Sequence, residues 1–87
     1  MSNVIIYTAN HCLYCVMAKR LFASKQVSYT ELNIDKNSEL RAEMLQRTKR
    51  RTVPQIYIGD VHVGGFDDLH ALDKAKKLDD LLARPGC

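Results

Sequence analysis

Cys12-Leu13-Tyr14-Cys15 is the densest chemistry in the chain. Two cysteines at that spacing can close a disulfide with little backbone movement. Where such a pair opens a helix, the first sulfur lies beside unpaired backbone N–H groups, which favour an anion. The second lies one turn inward and is more shielded. That asymmetry assigns Cys12 as nucleophile and Cys15 as resolving thiol. The competing assignment is two buried cysteines packing as small hydrophobes. His11 precedes Cys12 and, if protonated, would favour its thiolate; a solvent-facing His11 is the even alternative.

Three other segments carry candidate groups. In Thr52-Val53-Pro54 the proline precedes a strand, where its missing donor costs nothing. A cis Val53–Pro54 bond beside the dithiol would leave the Val53 backbone free to pair with an extended peptide. The residues alone favour the plain strand start. Gly64-Gly65-Phe66-Asp67-Asp68 lets a backbone approach a ligand closely, and the helix that follows can take a carboxylate at its N-terminus. Asp67 could hold an ammonium group; simple helix capping is the equal alternative. Lys49-Arg50-Arg51 is either a solvated cluster at a helix end or, through Arg51, a carboxylate site. His62 and His70 suggest no partner and are expected at the surface.

Hydrophobic periodicity supplies the elements that position these groups. The run at Asn3–Tyr7 reads as a strand buried on both faces. Tyr14, Ala18, Leu21 and Phe22 mark one face of a helix over Leu13–Lys25. Val27–Ile34 is a second strand, with an alternation that slips at Glu31. Ser38–Thr48 is an amphipathic helix started by Asn37 or Ser38. Gln55–Ile58 and Val61–Val63 form a hairpin around Gly59-Asp60. Phe66–Ala83 is helical, in one piece or two. The order is β-α-β-α-β-β-α, with the first two strands parallel through a right-handed crossover and the last two antiparallel. The expected fold is α/β, a four-stranded mixed sheet flanked by three to four helices.

Composition narrows the classes further. The chain of 87 residues is expected to be a single domain, 1–87, with a frayed tail at 84–87 after the helix-ending Pro85. A chain of this size buries about 64% of its unfolded surface. A net charge of +3, mixed in sign, argues against a dedicated nucleic-acid binder. No apolar run approaches the ~18 residues of a membrane span. The N-terminus does not read as a signal peptide. Three cysteines are too few for a disulfide scaffold, so a reducing cytoplasm is expected, with no nucleic-acid or membrane partner. Cys87 is expected to be an ordinary free thiol. A structural zinc site would need a second ligand pair that the sequence does not offer, and no metal is expected.

Together the segments Cys12–Cys15, Thr52–Ile58 and Gly64–Leu69 resemble the glutaredoxin family, from Val4 to about Leu82. The likeness is to the short bacterial dithiol members, whose motif is Cys-Pro-Tyr-Cys. It implies the thioredoxin-like fold and a monomer that performs glutathione-dependent thiol–disulfide exchange on glutathionylated proteins, small mixed disulfides and protein disulfides. It implies roles for Cys12 as nucleophile and Cys15 as resolving thiol, with glutathione as co-substrate. It also implies a glutathione groove of Tyr14, Arg51, Thr52, Val53, a cis Pro54, Gly65, Phe66 and Asp67. Three positions depart from the family pattern: Leu13 replaces proline, Ala9 replaces a common lysine, and Lys49 replaces a glycine that often ends the second helix. Because some relatives without that proline bridge a [2Fe–2S] cluster between subunits, a cluster carrier is the alternative function.

Overall fold

A computed structural model describes residues 3–83 of the chain; the tail at 84–87, Cys87 included, lies outside the described residues. Four strands, β1 (Val4–Thr8), β2 (Thr30–Asn33), β3 (Gln55–Ile58) and β4 (Val61–Gly64), form one sheet in the order β2-β1-β3-β4. β1 pairs parallel with β2 and antiparallel with β3, and β3 pairs antiparallel with β4. The helices are α1 (Leu13–Ser24), α2 (Ser38–Thr48), α3 (Phe66–Lys74) and α4 (Leu78–Ala83). This is the expected mixed sheet with four helices.

Strand alternation divides the core between the two faces of the sheet. Val4, Ile6, Ile56 and Ile58 bury one face against Ala18 and Phe22 of α1, Leu69 of α3, and Leu78 and Leu82 of α4. Tyr7 and Tyr57 point the other way, onto Met44 of α2 and onto Ile34. Because α2 covers that face nearly alone, long side chains finish the cover. The Arg47 guanidinium lies 4.1 Å from the Tyr57 ring centre and donates to the Tyr7 hydroxyl at 2.9 Å. The Tyr7 hydroxyl also bonds the Glu43 carboxylate.

β2 is shorter than the expected Val27–Ile34. α1 ends with Gln26 in the left-handed region, and the Val27 N–H turns back to the Phe22 carbonyl at 3.0 Å. That bond occupies the start of the segment, and pairing with β1 begins only at Ile5 opposite Thr30. Val27 and Tyr29 still pack against the core. The last helical stretch is two helices. After Lys74 the chain closes through Lys76 at φ 61°, with the Lys76 N–H on the Asp73 carbonyl and the Lys77 N–H on that of Leu72. This 5→2 and 6→1 pair ends α3 and re-aims the chain so that Leu78 enters the core.

Candidate functional site

β1 delivers the chain to the dithiol. Beyond Thr8 it turns through His11, at φ 56°, and reaches Cys12 in extended conformation. Cys12 is the N-cap of α1. Its sulfur accepts the Cys15 N–H at 3.2 Å, and its carbonyl accepts the Val16 N–H at 3.2 Å. An N-cap atom receives a helix donor that would otherwise lack a partner, a geometry that suits a sulfur anion. The Cys12 sulfur is half-buried and lies 3.8 Å from the Val53 carbonyl oxygen. Cys15 is 1% exposed. Burial, reinforced by its contact with Cys12, pushes its thiol up to about 12. One accessible and one buried sulfur thus share the first turn, both as free thiols.

Beside Cys12 lies a cleft of about 260 Å³. Tyr14 of α1 forms one wall, the Thr52–Gln55 segment another, and the start of α3 the third. The Val53–Pro54 peptide is cis. Tyr14 and Phe66 face each other with ring centres 6.2 Å apart, and His70 stacks on Phe66 at 5.6 Å. Gly64 turns the chain from β4 into α3 at φ 110°; a Cβ there would run into the Asp68 carboxylate. That carboxylate accepts the Gly65 N–H at 3.1 Å and so caps α3.

Of the residues expected in the groove, Tyr14, Thr52, Val53, Pro54, Gly65, Phe66 and Asp67 line this one cleft. Arg51 does not; the lining arginine is Arg50, whose Nη1 is 3.9 Å from the Asp68 carboxylate. Lys49 takes the left-handed conformation at the end of α2, and this turn decides which of the next two arginines faces the cleft. His11 is exposed and does not line this cleft; with Cys12 it lines a second hollow that also takes in Ala9, Lys19 and Glu31. There the Thr8 hydroxyl, at 2.7 Å, and the Lys19 ammonium, at 3.1 Å, hold the Glu31 carboxyl below its usual range.

Two expectations about histidines need amending. His62 is half-buried; its Nε2 is 2.8 Å from the Gln55 amide oxygen, and its ring stacks on Tyr57 at 4.8 Å. His70, although exposed, has Phe66 as its partner. Sequence reasoning also passed over Gln55. The available signal was its polar type in a strand whose other three residues are apolar, with the i, i+2 spacing that puts it on the face of Tyr57.

The glutaredoxin family model matches residues 4–63. The chain is 55% identical to Glutaredoxin 3 of Escherichia coli (strain K12) over 82 residues, 94% of this chain and 99% of that protein. The solution structure of glutaredoxin from Brucella melitensis is similar with a TM-score of 0.82 at 54% identity, covering 94% of this chain and 89% of that one. A buckwheat glutaredoxin–glutathione complex is similar with a TM-score of 0.85 at 31% identity, covering 93% and 76%. The order of strands, the position of the dithiol and these likenesses along nearly the whole chain agree, and the protein belongs to the glutaredoxin family of thiol oxidoreductases.

Proposed function

We propose that this single-domain protein is a glutathione-dependent thiol–disulfide oxidoreductase, with Cys12 as nucleophile and Cys15 as resolving thiol. The observation that carries it is the accessible N-cap sulfur of Cys12, 3.8 Å from the Val53 carbonyl on the cleft wall. In a glutathionylated substrate, the Cys12 thiolate attacks the glutathione sulfur. A Cys12–glutathione disulfide forms and the substrate leaves as its thiolate. A second glutathione thiolate then attacks that disulfide, giving oxidised glutathione and restoring the Cys12 thiolate. With a protein disulfide, Cys12 forms the mixed disulfide and Cys15 resolves it.

The cleft suits glutathione residue by residue. The Val53 backbone offers a peptide edge, and Thr52, Pro54 and Tyr14 give the walls. The start of α3 at Gly65 and Phe66 suits the γ-glutamyl carboxylate, and Asp67 suits its ammonium group. Arg50, in place of Arg51, suits the glycine carboxylate. A glutathione complex is the state of the similar buckwheat protein. This function stands ahead of a cluster carrier because Cys15 is placed to resolve a mixed disulfide, its N–H already on the Cys12 sulfur.

The test is a coupled glutathione-recycling assay. Cys12→Ser should abolish all exchange. Cys15→Ser should retain deglutathionylation, which needs only Cys12 and free glutathione, and lose reduction of protein disulfides. Equal loss of deglutathionylation in both variants would sink the assignment. Charge-transfer absorbance from iron and sulfur after anaerobic reconstitution would speak for the cluster instead.

A further inference from the structure

We propose that His62, which does not line the cleft, is a positioning residue for it, acting through Gln55 on the Thr52–Val53 peptide. The inference rests on the glutathione function above and names how that site is held.

The Thr52 carbonyl oxygen can only accept a hydrogen bond. The Gln55 atom 3.0 Å from it is therefore the amide nitrogen, which also lies 3.1 Å from the Thr52 hydroxyl oxygen. That fixes the orientation of the Gln55 amide and leaves its oxygen facing the His62 Nε2 at 2.8 Å. An amide oxygen has no proton to give, so Nε2 must carry one. Gln55 is 1% exposed, and its oxygen could not turn to water without breaking the Thr52 bonds. The His62 ring is held in turn by the Tyr57 face, 4.8 Å away and 19° from parallel. Tyr57 also carries the Arg47 guanidinium. Burial keeps His62 below the ordinary histidine range; Arg50 and Arg47 act in the same direction and Asp68 against it. A neutral ring has a single N–H, and the relay assigns it to Nε2.

Peptide geometry carries the effect into the cleft. The Thr52–Val53 bond is trans, and in a planar trans peptide the N–H points opposite to the C=O. Anchoring the Thr52 carbonyl on Gln55 therefore turns the Val53 N–H away from Gln55. This is the N–H offered to the glutathione backbone. His62, on β4, sets the direction of a donor on the loop before β3.

Three variants and one spectrum test this. His62→Phe keeps an aromatic ring for Tyr57 but has no donor. His62→Gln carries an amide nitrogen at about the reach of Nε2. Gln55→Glu sets a carboxylate oxygen against the Thr52 carbonyl. In deglutathionylation, His62→Phe should raise the KM for glutathione about fivefold, the value of one hydrogen bond, with little change in kcat. Gln55→Glu should raise it at least as much. His62→Gln should return it to within about twofold of the native value. Without glutathione, the Val53 amide shift should move in His62→Phe and return in His62→Gln, and the imidazole ¹⁵N spectrum of the native protein should show the neutral Nε2–H tautomer. An Nδ1–H tautomer overturns the proposal. So does an unchanged KM in His62→Phe, or an equal rise in His62→Phe and His62→Gln. A native protein without saturable glutathione dependence would instead overturn the glutathione function, and the spectrum and the Val53 amide would still decide the positioning. The spectrum needs no variant, so it decides even if His62→Phe fails to fold.

Discussion

Cys12 and Cys15 differ in environment more than in position. Cys12 caps α1 at the surface of the cleft, whereas Cys15 is buried and its thiol is raised to about 12. Alkylating agents consume thiolates, so iodoacetamide at neutral pH should label Cys12 at least about tenfold faster than Cys15; peptide mass spectrometry of the reduced protein reads the ratio. Burial also makes Cys15 a source of pH-dependent stability. An unfolded cysteine titrates near ~8.5, so above that pH the unfolded chain has released a proton that the folded chain retains. The contribution is full below ~8.5 and is lost as pH rises toward the folded value. For the reduced protein, the unfolding free energy should fall by up to about 2 kcal/mol between pH 8 and 10. Cys15→Ala should fall less over the same window, measured by denaturant titration. Parallel curves would show that Cys15 is not the group responsible. Tyr7, also raised chiefly by burial, begins to act above that window.

At the scale of elements, two helix ends bear residues that are not the best for their conformation. Lys49 closes α2 at φ 60°, where a side chain is strained and glycine is not. Lys49→Gly should stabilise the fold by about 0.5–1 kcal/mol, after the extra chain entropy of glycine is subtracted. Leu13 occupies the first position of α1 and is 69% exposed. An amide there has no partner within the helix, and Cys12 before it, at φ −110° and ψ 107°, already has the extended conformation a following proline requires. Leu13→Pro should therefore be accepted and add about 0.4–1 kcal/mol. Thermal unfolding of each variant checks both; a lower midpoint in Leu13→Pro would mean that the leucine side chain is needed at that position.

At the scale of the molecule, α4 closes the larger core. Leu78 and Leu82 bring it onto the cluster that holds Phe22, Ile56 and Leu69, and Leu78 is fully buried. Leu78→Ala should cost about 2–4 kcal/mol. That is a large share of the ~5–10 kcal/mol expected of so small a domain, so the variant should lose its cooperative transition before 37 °C or close to it. Circular dichroism on heating reads this. A shift of only a degree or two would mean that α4 repacks around the gap.

Local pattern was enough for much of this. The Cys12–Cys15 spacing, the crossover between β1 and β2, the Gly59-Asp60 hairpin, and the order of the Thr52–Pro54 and Gly64–Asp68 segments all follow from spacing and periodicity along the chain. What spacing could not give is which face a residue takes where the backbone departs from regularity. The left-handed turn at Lys49 puts Arg50 on the cleft in place of Arg51. The two-residue link at Gly59-Asp60 sets His62 opposite Tyr57, and the register shifts only beyond that pair, where Ile56 meets Gly64. The return of the loop before β3 then lays Thr52 against the Gln55 amide, so that the His62 ring, Gln55 and Thr52 join one network. Periodicity describes residues within a strand and not the path of the loop that precedes it. For that reason the Cys12–Cys15 pair at a helix start and the hairpin that pairs Tyr57 with His62 were legible in the sequence, whereas the contact of Thr52 with Gln55, which joins the network to the cleft, was decided only by the tertiary path of the chain.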